Sequence, residues 1–246
     1  MKDGIVLNIG NTHTQMSRCT NGQLGTVQRL ETRAFLEAET KTGLLYDLPQ
    51  LPVLCACVVP HASACLRERW PDRSLTFLDA AQIKEFDLGR ITMETIGADR
   101  LANAIAALEM LRPPFLVIDC GTAISTIAVD GDKVLRGGTI MPGRHMLRLA
   151  LHEHTAQLPE VKLLDECPPA LGTNTEEAIL AGVDLGIIGA VQFIIDNTRA
   201  ELEAAECPVI VTGGDAPYFL SNIPNLMAAP PHFTLRGLAR LSARIG

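Results

Sequence analysis

One turn appears twice in this chain, and that repetition limits the folds open to it more than any other feature. "IVLNIGNTHTQ" starts at residue 5 and "LVIDCGTAIST" at residue 116. Each is an apolar run, then Asn or Asp, one residue, Gly, a small polar residue and a second short run. An apolar run that meets a Gly-containing turn and resumes predicts a β-hairpin. Two such hairpins at equivalent places predict a tandem duplication.

The rest of the chain follows the same plan. "GIVLNIGNTHTQMSRCTNGQL" predicts strand, turn, strand and a second turn at Asn21-Gly22. "LPVLCACVVP" predicts a buried strand, and "LTFLDAAQI" a strand running into a short helix. Leu101, Ile105, Leu108 and Leu111 recur at helical spacing in "DRLANAIAALEMLR". "RPP" at 112–114 ends that helix and marks a boundary, giving an N-terminal lobe of 1–113 and a C-terminal lobe of 114–246. The order then restarts with a hairpin turning at Asp130-Gly131, a third strand and the Gly-rich "GGTIMPG". Helices follow over "RHMLRLALHEHTAQLP" and about 175–205, then the strand "PVIVTGGDA" and a closing helix near "LRGLARLSARIG".

Composition excludes several classes. With 47% apolar and 20% charged residues, the 246-residue chain supports a sizeable core. A net charge of −7, with no basic run interleaved with aromatics, argues against a nucleic-acid partner. The opening "MKDGIVLNIGNT" does not resemble a signal peptide. "AILAGVDLGIIGAVQFII" carries Asp184 and Gln192, which argues against a membrane span. Seven cysteines without zinc-site spacing predict reduced thiols in a cytoplasmic protein. "HEH" at 152–154 predicts a polar helix surface.

The turns suggest phosphate chemistry. Gly-containing hairpins leave backbone N–H groups free for an anion, and Thr hydroxyls add donors. Carboxylates at strand ends could hold the metal ions that neutralise phosphates. Asp99 is either a helix N-cap or a carboxylate placed to take a proton from a substrate hydroxyl. Arg100 is either a surface ion-pair member or a fork for a substrate carboxylate. Thr173 with Glu176 predicts a capping box, leaving Thr175 for a ligand. The glycines of "GGTIMPG" and "VTGGDA" allow close backbone approach, the latter next to an adenine ring.

Seven stretches in order carry a family resemblance: "GNT" at 10–12, "GADR" at 97–100, "DCGTAIST" at 119–126, "GGTIMPG" at 137–143, "TAQLP" at 155–159, "GTNT" at 172–175 and "TGGDA" at 212–216. Together they resemble the type III pantothenate kinase (Bvg accessory factor) family of the actin-like/sugar-kinase superfamily. The resemblance implies an α/β, duplicated actin-like (ribonuclease H-like) fold, two lobes with mixed sheets, flanking helices and a ligand cleft between them. It also implies ATP-dependent phosphorylation of pantothenate by a homodimer using Mg2+ and a monovalent cation, K+ or NH4+. On this sequence Asp99 becomes the catalytic base, with Gly97, Ala98, Arg100 and Thr175 about the pantothenate. Asn8, Gly10, Asn11, Thr12, Gln15, Gly121 and Thr122 become nucleotide-binding, and Asp119 the cation ligand. Gly182, Gly186 and Gly189 suit helix packing, at the dimer interface or within one subunit.

Three departures stand against that pattern. Asn8 replaces the first motif's acid, Gln15 replaces a Lys, and Arg90 and Met93 replace a Tyr and Pro beside the acceptor pocket. A bound metal stabilises charge by several kcal/mol, so weaker anchoring at Asn8 is expected to cost ~10²-fold in rate. Three readings stay open: a pantothenate kinase, with full or reduced activity; a non-catalytic ligand-binding or regulatory relative; and a kinase for a different small hydroxyl acid.

Overall fold

The computed structural model describes residues 3–37 and 51–243, which form two compact units. One holds the described residues up to Arg112, with Lys133–Arg136 and those from Pro230 onward. The other holds Pro113–Asp132 and Gly137–Ala229.

The first unit opens with an antiparallel meander, β1 (Asp3–Ile9), β2 (His13–Thr20) and β3 (Gln23–Glu31). Asn21 and Gly22 both have positive φ (51° and 79°), the backbone that a tight hairpin with right-handed strand twist requires. After α1 (Thr32–Glu37), β4 (Val53–Cys57) pairs parallel to β1 and β5 (Leu75–Phe77) parallel to β4, giving the order β3-β2-β1-β4-β5. Between them lies α2 (Pro60–Arg69), whose Pro60 occupies the first helical position, where no N–H is needed. The predicted short helix after "LTF" is one 3-10 turn, Ala80–Gln82. α3 (Ala98–Ala107) closes this run.

The second unit repeats the layout. β6 (Phe115–Cys120) and β7 (Ala123–Val129) are antiparallel, and β7 also pairs antiparallel with β9 (Ile140–Pro142) after the short β8 (Leu135–Gly137). β10 (Val209–Thr212) runs parallel to β6, and β11 (Leu226–Ala228) parallel to β10. α4 (Arg144–Glu153) and α5 (Thr175–Glu201) precede β10, and α6 (Ala216–Asn222) separates β10 from β11. The equivalence of β1-β2-β4-β5 and β6-β7-β10-β11, strand by strand and in polarity, is the predicted duplication.

The closing helix α7 (Phe233–Ser242) lies in the sequence's second lobe but packs in the first unit, on α3 and β1. The last three residues of "LRGLARLSARIG" lie outside the described residues. Gly237 fixes the contact: a Cβ there would come within 1.9 Å of the Ala102 carbonyl oxygen. Thr234 Oγ1 donates to Asn103 Oδ1 at 2.9 Å within the same interface. Ile5, Leu7, Ile9, Cys55 and Leu66 form a core on one side of the first sheet. Val6, Leu54 and Ala56 are buried as well. Burial on both faces explains why β1 and β4 read as continuous apolar runs rather than alternating ones. The second unit's core joins β6 and β10 to Ile187, Val191 and Ile195 of α5 and Phe219 of α6.

Candidate active site

The first turn is three residues long. Gly10, Asn11 and Thr12 link β1 to β2, and the Gly10 N–H donates to the His13 carbonyl at 3.0 Å. Thr32, at the start of α1, braces it: its Oγ1 donates to the Gly10 carbonyl at 2.7 Å and its N–H to that of Thr12 at 2.9 Å. Sequence reasoning missed Thr32 because two strands, β2 and β3, separate it from the motif. Asn8 and Gln15 are directly opposed across the β1–β2 ladder, both half-buried. Opposed residues share a sheet face with Cβ atoms about 5 Å apart. The two departures from the family pattern are therefore one feature, a neutral amide pair where opposed charges would stand.

The same unit carries the "GADR" stretch at the N-terminus of α3. Gly97 is the N-cap, with φ −62° and ψ 133°, so Asp99 is the second helical residue and not the cap. Its Oδ1 accepts the Arg100 N–H at 2.8 Å. An alanine Cβ at position 97 would lie 2.5 Å from that oxygen, so the glycine clears the space the carboxylate occupies. Burial pushes the Asp99 carboxyl above its ordinary range, outweighing the backbone N–H and Arg100, which act the other way. Burial lowers the Arg100 guanidinium. In the preceding loop Arg90 is exposed and Met93 43% exposed.

The second turn is one residue shorter. Gly121 and Thr122 link β6 to β7, and the Gly121 N–H donates to the Ala123 carbonyl at 3.0 Å. Asp119 stands opposite Ser125, the place equivalent to Asn8 opposite Gln15. Two Gly-rich segments brace this turn. The Gly143 N–H donates to the Thr122 carbonyl and the Asp215 N–H to that of Cys120, both at 2.9 Å. A Cβ on Gly143 would fall 2.2 Å from the Gly121 oxygen; one on Gly213 (φ +98°) would fall 2.3 Å from the Cys120 oxygen and 2.7 Å from Asp119 Oδ1. Neither position admits a side chain.

The α5 cap differs from the expected box by one residue. Asn174 is the N-cap, its side chain accepting from the Glu177 N–H at 3.0 Å. Glu177, not Glu176, reaches back to Thr173, accepting from its N–H and hydroxyl. Thr175 becomes the first helical residue, exposed and unused by the cap. Among the described residues, built Cβ atoms at Gly182, Gly186 and Gly189 meet nothing within 4 Å.

The structure also exposes a buried charge cluster in the second unit. Arg144 Nε donates to Asp184 Oδ1 at 3.0 Å, and Arg148 Nη2 pairs with Asp184 Oδ2. Asp215 Oδ1 is 3.9 Å from Arg144 Nη1, and burial raises the Asp215 carboxyl. The sequence signal was present: Arg144 and Arg148 lie one helical turn apart, and Asp184 interrupts an apolar run.

The Gly97–Arg100 stretch and the first turn thus belong to the first unit, and Asp119, Gly121, Thr122 and Thr175 to the second. Among the described residues no group of three or more His, Cys, Asp or Glu side chains could hold a metal ion. The twin hairpins, each followed by a parallel strand pair, define a protein of the actin-like ATPase and sugar-kinase fold class. A Campylobacter jejuni protein described as of the Baf family shares the fold (TM-score 0.64, 18% identity, 98% of each chain). So does the activator of 2-hydroxyisocaproyl-CoA dehydratase from Clostridium difficile, solved with ADPNP (TM-score 0.50, 12% identity, 98% of this chain and 93% of that one). Residues 4–197 match the family described as Type III pantothenate kinase. A Type III pantothenate kinase from Rubrobacter xylanophilus is 32% identical over 256 residues, 97% of each chain. The chain belongs to the type III pantothenate kinase family.

Proposed function

We propose that this protein transfers the γ-phosphoryl group of ATP to the 4'-hydroxyl of pantothenate, the first step of coenzyme A synthesis. The observation that carries the reading is Asp99: a half-buried carboxylate with a raised pKa, with Gly97 clearing its space. In this reading the P–O bond to the β–γ bridging oxygen breaks, a bond to the acceptor oxygen forms, and the hydroxyl proton passes to Asp99. Arg100 receives the acceptor's carboxylate through its planar fork, and Ala98 and Thr175 are the other residues assigned to the acceptor. Asn11 and Thr12 of the first turn and Thr122 of the second are assigned to the phosphates as N–H and hydroxyl donors, while Gly10 and Gly121, whose N–H groups close their own turns, are assigned for the close backbone approach they allow. Mg2+ would supply charge neutralisation when bound, and phosphate oxygens would hold most of it, since among the described residues no three His, Cys, Asp or Glu side chains gather to hold a metal ion. Asp119 is the residue assigned to a monovalent cation.

The exposed side of α5 supports a homodimer. The helix has a window of mean hydropathy 2.1 of which only 39% is buried, and Phe193 is 68% exposed. Length and composition would also let this helix cross a membrane. The buried pairing of Asp184 with two arginines in its middle favours a water-soluble, cytoplasmic protein.

Family membership over nearly the full length, with the Asp99 carboxylate retained, favours the kinase over a non-catalytic relative. The test couples ADP release to NADH oxidation with ATP, Mg2+, K+ and pantothenate. Turnover that needs pantothenate and is lost in Asp99→Asn supports the proposal; turnover that survives Asp99→Asn removes Asp99 from its role.

A further inference from the structure

Arg144 stands where three elements meet. It opens α4 directly after Gly143, whose N–H holds the Thr122 carbonyl. Its side chain, 3% exposed, reaches Asp184 on α5 through Nε and the Leu164 carbonyl through Nη2 at 2.5 Å. Its Cζ lies 3.5 Å from the centroid of the Tyr218 ring on α6. Nη1 faces Asp215, whose own N–H holds the Cys120 carbonyl. The two backbone braces on the Gly121–Thr122 turn therefore converge on one guanidinium. Arg148 secures the other Asp184 oxygen, so the carboxylate is shared between two arginines and fixed.

We propose that Arg144 is a positioning residue for nucleotide: by tying Gly143 to Asp215 it holds the Gly121–Thr122 turn in the shape that receives phosphate. The inference rests on the reading of that turn as nucleotide-binding. A planar fork that serves two carboxylates and a carbonyl, with its flat face on a tyrosine, is a task for Arg that Lys performs only in part. With the guanidinium gone, the Gly143 and Asp215 segments move independently, and the two carbonyls they grip lose their common frame. Ala98, Asp99 and Arg100 lie in the other unit, and Thr175 is the one assigned acceptor residue in the same unit, about two and a half helical turns from Asp184 along α5.

The test is a thermal-shift titration of the full chain with ATP and Mg2+, and separately with pantothenate, alongside steady-state kinetics. Arg144→Met is expected to weaken ATP about tenfold in both Kd and KM, with pantothenate within about twofold and Arg144→Lys intermediate. Asp215→Asn, which leaves the buried Arg144–Asp184 pair intact, is expected to weaken ATP about threefold. A lower melting temperature with unchanged ATP affinity overturns the proposal, as does equal loss for both ligands. If Arg144→Met does not fold, Asp215→Asn decides: unchanged ATP affinity there overturns it. Thr122→Val is the separate control. If it leaves ATP affinity unchanged, the reading of the turn has failed; if it weakens ATP while Arg144→Met and Asp215→Asn do not, only the Arg144 inference has.

Discussion

Gly97→Ala separates catalysis from folding at a single atom. The added Cβ would lie 2.5 Å from Asp99 Oδ1, whereas ordinary contact begins at 3.4 Å. Something must give by about 0.9 Å, and the yielding atom is the end of a side chain, so the carboxylate swings while the backbone stays. A catalytic group displaced by about 1 Å costs on the order of 10²-fold in rate, equivalent to about 2.7 kcal/mol on the barrier. The fold loses little. At φ −62° and ψ 133° the residue has a backbone open to alanine, and exchanging a Gly cap for Ala costs about 1 kcal/mol. In a chain this long that is a fall of about 2–4 °C in Tm. The coupled ADP assay read with a thermal melt is expected to show kcat down about 10²-fold beside that small shift. Wild-type kcat in a protein with the alanine in place would refute the reasoning, because the carboxylate would then not be needed where the structure puts it.

Asp99→Asn is expected to raise Tm at neutral pH while abolishing turnover. Because burial raises the folded carboxyl above its unfolded value, the native state binds more protons between those values, and stability falls as pH rises through that window. Turnover in the wild type runs the other way, falling as pH drops through the raised pKa and the base is protonated; a flat acid limb would contradict this. Asn8→Asp and Gln15→Lys are each expected to lower stability and together to recover it, with a coupling of about 0.2–1 kcal/mol for opposed charges across strands. The double variant is also expected to raise kcat at least tenfold if a charged pair assists phosphate and metal there; a decrease would show the amide pair to be the better site. Gly237→Ala forces a methyl onto the Ala102 backbone, which cannot rotate away, and is expected to cost at least about 1–3 kcal/mol in urea unfolding. Phe193→Asp tests the proposed homodimer: the wild type is expected to sediment as a dimer and the variant as a monomer, and an unchanged mass would place the interface elsewhere.

The sequence alone was enough for the repeat, both hairpins, the buried strands and the α3 and α5 helices. Each is written in local pattern: apolar runs, Gly-containing turns and helical spacing over a few residues. It also marked Asp99 and Gly121 as chemical positions, since their neighbours in sequence carry the motif. Tertiary structure decided what depends on partners remote in sequence. It paired Asn8 with Gln15 as one unit, because a hairpin register brings them side by side. It placed α7 in the first unit, because Gly237 lets that helix lie on Ala102, 135 residues earlier in the chain. It raised the Asp99 carboxyl, because burial overrides the helix N-terminus in a way no local pattern encodes. It gathered Arg144, Asp184 and Asp215 from three separate stretches, because buried charges must find one another across the fold.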